Sequence, residues 1–245
     1  MTALLMTATI APDAQAAAHS QFDPAERLAQ YQAALAHYLR IPALKILFVD
    51  NSAHPLDALA ATAREAGRPV HFHSYKSPVP PALGKGRGEM ELIATALDHF
   101  KAEIGEDEPV WKVTGRLIVD NLDALIATQP QGFALYADCR DVPLIGEALG
   151  GNQWMDTKLI AFTPKGFRTL IQQDWPDENF TIEKLLYQHL KPVLRDRKDI
   201  VPRFRLQPDF IGTSGGSGKN YRSFGNRTKS TVRRAARSVA PWLWL

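Results

Sequence analysis

Short apolar runs closed by polar, turn-forming residues alternate along this chain with apolar stripes at helical spacing, and no other feature limits its fold as tightly. The runs fall at residues 45–49, 69–74, 110–113, 132–137 and 159–162. A short, nearly unbroken apolar run of this kind reads as a strand buried on both faces of a parallel sheet. Between the runs, helices are expected at 24–40, 55–66, 89–103, 121–127, 164–173 and 180–190. The first has Asp23 as its N-cap and Pro24 at its opening position, with Leu28, Tyr31, Leu35, Tyr38 and Leu39 forming one apolar face. Gly67 closes the second, and Thr181 or Asn179 caps the last. Strands and helices alternating every ~20–30 residues predict an α/β fold with one mainly parallel open sheet and helices on both faces.

Such a sheet binds ligands beyond the carboxyl ends of its strands. That rule places Asp50, Asn51 and Ser52, the 84–88 loop, Thr114–Arg116 and Asp138–Asp141 along one rim. In Gly84-Lys85-Gly86-Arg87-Gly88-Glu89 the glycines allow backbone N–H groups close approach to an anion ahead of a helix, and the two cations add charge-assisted bonds. The spacing G-x-G-x-G after the second expected strand differs from the dinucleotide fingerprint. Residues 212–219 fail the Walker pattern, because Thr213 stands where a glycine is required and Asn220 where Ser or Thr is required. His71 and His73 share a strand face but have no Cys, Asp or Glu at ligand spacing, which argues against zinc.

Composition fits one sizeable core, with 45% hydrophobic and 22% charged residues. The single cysteine, Cys139, cannot form an internal disulfide and fits a reducing, cytoplasmic setting. No stretch reaches the ~20 apolar residues of a membrane span. Residues 1–22 are expected as a flexible N-terminal extension, since no Lys or Arg precedes Arg27 to start a secretory signal. The formal charge of +3 is uneven: seven cations and no acid lie between Phe210 and Leu245, leaving −4 for residues 1–209. Residues 222–245 therefore form a basic tail ending Pro241-Trp242-Leu243-Trp244-Leu245, with Lys229, Arg233 and Arg237 on one face of an expected helix. Cations beside tryptophan suit an anionic membrane interface, and the alternative is a tail packed on the domain.

Taken in order, the segments resemble bacterial GT-A-type glycosyltransferases found with capsule and lipopolysaccharide genes. The resemblance rests on Arg27-x-x-x-Tyr31, Val49-Asp50-Asn51-Ser52, the 84–89 segment, Lys112-Val113-Thr114-Gly115-Arg116 and Asp138-x-Arg140. Asp156-Thr157-Lys158, Ile182-Glu183-x-x-Leu186-Tyr187 and Gly212-x-Ser214-Gly215-x-x-Gly218-Lys219-x-Tyr221 complete it. It implies a GT-A-like, Rossmann-related domain over residues 23–221 that moves a hexosyl group from a nucleotide-diphosphate sugar to a saccharide or lipid-linked acceptor in surface polysaccharide synthesis. Donor binding is then expected at Asp50, Asn51, Ser52, Lys85, Gly86, Arg87, Gly88, Lys112, Thr114, Gly115, Arg116, Asp156, Ser214, Lys219 and Tyr221. Glu183, Asp141 and Asp138 are the expected catalytic carboxylates, with Glu183 and Asp141 foremost as the base that takes the acceptor proton and Asp156 behind them.

GT-A enzymes usually hold a divalent cation on an Asp-x-Asp element, and Asp138-Cys139-Arg140-Asp141 departs from it. Either Mn or Mg still binds there, or Lys85, Arg116 and Lys219 neutralise the diphosphate directly. The competing readings are a nucleotide- or sugar-binding α/β protein without transferase activity, and nucleic-acid binding through the tail, which would be nonspecific because no reader module accompanies it.

Overall fold

A computed structural model of the chain describes residues 1–13, 23–142, 152–176, 180–194, 196–213 and 220–223, and, in the tail, 230, 231, 233–235, 237 and 239. Nine strands are described: β1 (Thr2–Ala8), β2 (Leu44–Asp50), β3 (Val70–Ser74), β4 (Val110–Thr114), β5 (Ile118–Val119), β6 (Leu135–Arg140), β7 (Trp154–Phe162), β8 (Ile200–Val201) and β9 (Phe210–Ile211). The helices are α1 (Pro24–Tyr38), α2 (Asp57–Glu65), α3 (Gly84–His99), α4 (Leu122–Ala127), α5 (Pro164–Leu170) and α6 (Ile182–Leu190). Seven strands form one sheet in the order β3-β2-β1-β4-β7-β6-β8, and β5 pairs with β9 in a separate ribbon. β3, β2, β1 and β4 run parallel, β7 is antiparallel to both β4 and β6, and β8 is parallel to β6. The mainly parallel α/β architecture with helices on both faces is thus present.

The expectation of a flexible extension is corrected at its start, where Thr2–Ala8 is an interior strand paired with β2 on one side and β4 on the other, and residues 14–22 lie outside the described residues. Ala3, Leu4, Leu5 and Met6 are fully buried. A four-residue apolar run flanked by threonines satisfies the buried-strand pattern, and both faces are needed. Ala3 and Leu5 enter the core under α3, α5 and α6, whereas Leu4 and Met6 enter the core under α1, α2 and α4. Leu47 and Val49, against Ile46 and Phe48, repeat that two-residue alternation on β2.

Local signals account for most boundaries. Asp23 accepts a bond from the Glu26 amide at 2.8 Å and caps α1. Gly67, at φ +62°, ends α2 in the left-handed region that glycine adopts without strain. The 84–88 segment, expected as a loop, is instead the first turn of α3. Gly86 is buried there, and a Cβ on it would lie 2.7 Å from the Ile182 Cβ, so the missing side chain lets α6 close onto α3. The tail is likewise corrected at one point: Arg237 is buried and donates to both Asp138 oxygens at 2.8 and 2.7 Å and to the Phe204 carbonyl at 2.6 Å. Arg237 belongs to the domain and has no exposed face to offer a membrane. Trp242 and Trp244 lie outside the described residues. No helix among the described residues is long and apolar enough to cross a membrane.

Candidate nucleotide-sugar cleft

Chain order reverses between β1 and β4: β1 leads out to β2 and β3, and the chain then returns to β4 on the other side of β1. The carboxyl ends of strands beside such a reversal are the usual ligand position in an open α/β sheet. A cleft of about 1020 Å³ occupies it, with Thr7, Thr9, Asn51, Ser52, Thr114 and Arg116 on the strand ends. Arg27 and Tyr31 enter from α1, Lys85, Gly88 and Glu89 from α3, Thr157 and Lys158 from β7, Glu183 from α6, and Tyr221 from the segment after β9.

Asp50 is fully buried and builds this rim without facing the cleft itself. Its carboxylate accepts from the amides of Ile10, Ser52 and His54 at 2.9, 3.0 and 3.1 Å and from the hydroxyls of Ser52 and Ser74. A buried charge is tolerated when its lone pairs are filled in this way. The expected ligand role of Asp50 is therefore corrected to that of a scaffold, and the residues it positions, Asn51 and Ser52, line the cleft. Asn51 Oδ1 accepts from the Thr9 hydroxyl at 2.7 Å, and Ser52 Oγ accepts from the Ala11 amide at 3.0 Å. Arg27, almost buried on α1, donates through Nε to the Thr9 carbonyl at 2.8 Å, and the Tyr31 hydroxyl accepts from the Thr9 amide at 3.1 Å.

Three cations meet at this opening. Lys85 keeps solvent access, yet partial desolvation and then the charges of Arg27 and Arg116 lower its pKa. Burial, and after it the charge of Arg27, lowers that of Arg116, which also donates to the Thr213 carbonyl. Thr213 bridges to Asn220, and the Tyr221 amide donates to the Gly212 carbonyl at 3.0 Å, so the base of the 212–221 segment closes beside Arg116. Ser214 and Lys219 lie outside the described residues. Gly115 has a packing role: a Cβ there would sit 2.8 Å from the Thr7 carbonyl, to which its own amide donates at 2.8 Å. Lys112 and Arg87 are corrected away from the cleft. Lys112 is fully buried, paired with Glu89 and bonded to the Thr157 carbonyl at 2.8 Å, while Arg87 donates to the Trp175 carbonyl at 2.7 Å.

The expected carboxylates separate. Glu183 lines the cleft, and burial first, then Glu89 and Asp156, raises its pKa. The Thr157 hydroxyl stands 3.4 Å from a carboxylate oxygen of Glu183 and 3.4 Å from one of Glu89. Asp156 is buried, which works to raise its pKa, but Lys158 and Arg140 overcome that and hold it below the usual range. Asp141 accepts from the Tyr187 hydroxyl and lies 3.8 Å from Lys191, and Asp138 is clasped by Arg237. Neither lines the cleft, so neither reaches an acceptor held there.

The residues do not fit the divalent cation of an Asp-x-Asp element. Glu89, Asp138 and Asp156 are each paired with a cation, and among the described residues no group of three His, Cys, Asp or Glu converges on one point. His73 stacks on His99 with ring centroids 3.7 Å apart, a packing contact on the outer strand. Cys139 is buried, which pushes its thiol pKa up and leaves it unreactive. Arg27, Tyr31, Glu89, Thr157 and Lys158 border the cleft without having been singled out as donor ligands. The i, i+4 spacing of Arg27 and Tyr31 on one helix face was the available signal for the first two.

No protein-family model and no curated protein sequence matches this chain. Among solved structures, the inositol-1-phosphate CTP transferase of T. maritima is similar over 94% of this chain and 96% of its own, with a TM-score of 0.52 at 11% identity. A putative glucose-1-phosphate thymidylyltransferase from Bacillus anthracis, in complex with a sucrose, is similar over 97% and 95%, with a TM-score of 0.46 and 11% identity. The glycosyltransferase GlyE of Streptococcus pneumoniae is similar over 83% of this chain and 41% of its own, with a TM-score of 0.40 and 13% identity. The chain shares its mainly parallel α/β fold with the T. maritima transferase, and the solved structures similar to it include nucleotidyltransferases and glycosyltransferases.

Proposed function

We propose that this protein is a glycosyltransferase that holds a nucleotide-diphosphate sugar in the β1/β4 cleft and passes the sugar to a saccharide or lipid-linked acceptor of surface polysaccharide synthesis. The observation that carries the reading is the convergence of Arg27, Lys85 and Arg116 on one opening at the switch point of the sheet. Arg27 and Arg116 lower the pKa of Lys85, an effect that a bound anion would offset, and fixed positive charge at a departing diphosphate is the stabilisation that sugar transfer needs. Lys85 and Gly86, in the first turn of α3, line the same cleft, where the helix's first backbone N–H groups have no intrahelical acceptor.

Glu183 serves as the base. The acceptor O–H bond breaks with its proton passing to the Glu183 carboxylate, the acceptor oxygen bonds to the anomeric carbon, and the bond from that carbon to the diphosphate oxygen breaks. The electron pair leaves on the diphosphate, among the three cations. An attack of this kind, opposite the leaving group, inverts the anomeric centre. A raised pKa suits the task, because a base is most useful near the working pH. Any contact of the tail with an anionic membrane would fall to residues such as the exposed Arg234 and Val239, since Arg237 is buried.

Thermal shift with a panel of UDP, GDP, TDP and CMP sugars tests the reading. A ligand at 100 times its dissociation constant stabilises the fold by about 2.7 kcal/mol. At least one diphosphate sugar should do so without added Mn²⁺, and Arg116→Ala should weaken its binding roughly tenfold or more, as expected for loss of a charged hydrogen bond. Formation of a nucleotide sugar from a nucleoside triphosphate and a sugar 1-phosphate, with no transfer to an acceptor, would replace this function with a nucleotidyltransferase.

A further inference from the structure

A second recess of about 530 Å³ lies beside the donor cleft, and Lys158 and Tyr221 border both. Its wall carries five cations, Arg140, Lys158, Arg222, Arg233 and Arg234, against three acids, Asp138, Asp156 and Asp209. Two of the acids are already matched. Arg237, from behind the wall, takes Asp138, while Lys158 at 2.5 Å and Arg140 at 3.7 Å share Asp156. Arg222 pairs with Asp120 at 2.9 Å. Arg233 is left with no ion pair among the described residues, and the buried Nε of Arg140 has no hydrogen-bond acceptor. A buried guanidinium N–H without an acceptor is costly, and an entering anion would remove that cost.

The chain builds this recess deliberately. The described residues between 230 and 239 are helical, and Arg233 and Arg237 stand four apart on one face. Once Arg237 is clasped by Asp138, Phe204 and Gln207, Arg233 is fixed one turn earlier, on the recess wall. Burial first, and then the surrounding arginines, pushes Arg233 and the neighbouring Arg203 down to about 10. Planar guanidinium forks match the oxygens of a phosphate in pairs, which a lone ammonium cannot do.

We propose that this recess is a phosphate subsite of the acceptor, in which Arg140, Arg233 and Lys158 hold a phosphoryl or diphosphoryl group. The acceptor hydroxyl then extends past Tyr221 to the donor cleft. The acceptor is accordingly a phosphorylated saccharide, free or as the headgroup of a lipid, and the assignment rests on the glycosyltransferase reading above.

Two measurements on the full chain test it. Calorimetric titration with inorganic phosphate, with the donor cleft filled by a nucleoside diphosphate, should show a site whose affinity falls about tenfold or more in Arg233→Ala, as for loss of a charged hydrogen bond, and far less in Arg116→Ala. Transfer assays should then show a lower KM for a sugar phosphate, and for the same headgroup in a detergent-dispersed lipid diphosphate, than for the unphosphorylated sugar, with Arg233→Ala erasing the difference. A preference for the dispersed lipid diphosphate alone identifies the lipid-borne source, and equal KM values for the two identify the phosphate itself. Phosphate binding insensitive to Arg233→Ala, or a KM indifferent to phosphorylation, overturns the proposal. If no donor is turned over, the donor reading fails, while the phosphate titration still decides whether the recess binds the anion.

Discussion

The two ends of the sheet rim treat charge in opposite ways. At the parallel end, Arg27, Lys85 and Arg116 border one opening, where burial and neighbouring positive charge lower the pKa values of Lys85 and Arg116. At the antiparallel end, Asp138 and Asp156 are buried and matched by cations, Asp138 by Arg237 from the tail and Asp156 by Lys158 on its own strand and Arg140 on β6. Both ends looked alike as sequence, as short charged segments closing apolar runs. A rim charge that borders an opening is placed to meet a ligand, and one clasped within the wall, as Asp138 is by Arg237, is architecture.

The largest expected effect breaks this comparison on the side of the open cleft. Glu183→Gln should lower kcat by about 10²–10⁴, the usual worth of a positioned base, while the donor dissociation constant changes little. The check is steady-state transfer beside equilibrium donor binding. Glu183 lies on the surface of α6 that faces the cleft, with Ile182 and Leu186 buried around it, so the amide keeps the packing and removes only the proton acceptor. Unchanged kcat would return Glu183 to the architectural class.

The opposite end should respond in stability. Arg237→Ala leaves the Asp138 carboxylate buried without its partner, a loss of about 3–5 kcal/mol in urea unfolding. Asp138→Leu combined with Arg237→Met should recover most of that loss, because no bare charge remains. An effect of Arg237→Ala within the range of a surface ion pair, below about 1 kcal/mol, would mean that the tail is not part of the folded unit.

The same contrast explains what the sequence disclosed. Wherever one residue's neighbours decide the structure, the reading held: Asp23 and Pro24 open α1, Gly67 closes α2, and residues 45–49 form the centre of β2. The failures involve partners far away in the chain. Residues 2–8 read as an extension because the small, mixed residues that follow obscured a four-residue apolar core, and only pairing with β2 and β4 makes it a central strand. The polar half of β7, with Asp156, Thr157 and Lys158, gave no strand signal because its burial depends on Arg140 and Glu183. Gly86 lines the cleft, and it has a second role that only the fold shows, which is to admit Ile182, a residue 96 positions later. At the site, residue types were legible and orientations were not: Lys85 and Arg87 are two residues apart, yet one faces the cleft and the other bonds Trp175.

The smallest expected effect is in the pH profile, and its sign distinguishes the two ends again. Burial, then Glu89 and Asp156, raises the Glu183 pKa above that of an ordinary glutamate. The folded state therefore binds more protons than the unfolded chain between the two pKa values, and stability from this group falls as pH rises through that interval. With Glu183 as the proposed base, activity should do the reverse, because a base works only when deprotonated, and kcat should rise across the same range. Lys85 supplies the alkaline limb: partial burial, then Arg27 and Arg116, lowers its pKa, and donor affinity should decline as it loses its proton below the usual lysine range. A bound diphosphate pairs with that ammonium and raises its pKa, so the alkaline limb of kcat should lie at higher pH than that of kcat/KM. Asp156 works the other way at the matched end: Lys158 and Arg140 hold its carboxyl low, so its stabilisation is lost only as pH falls through that depressed value. The comparison would lose its catalytic half if Glu183→Gln kept the acid limb where it was, for the proton that limits the rate would then belong to another group.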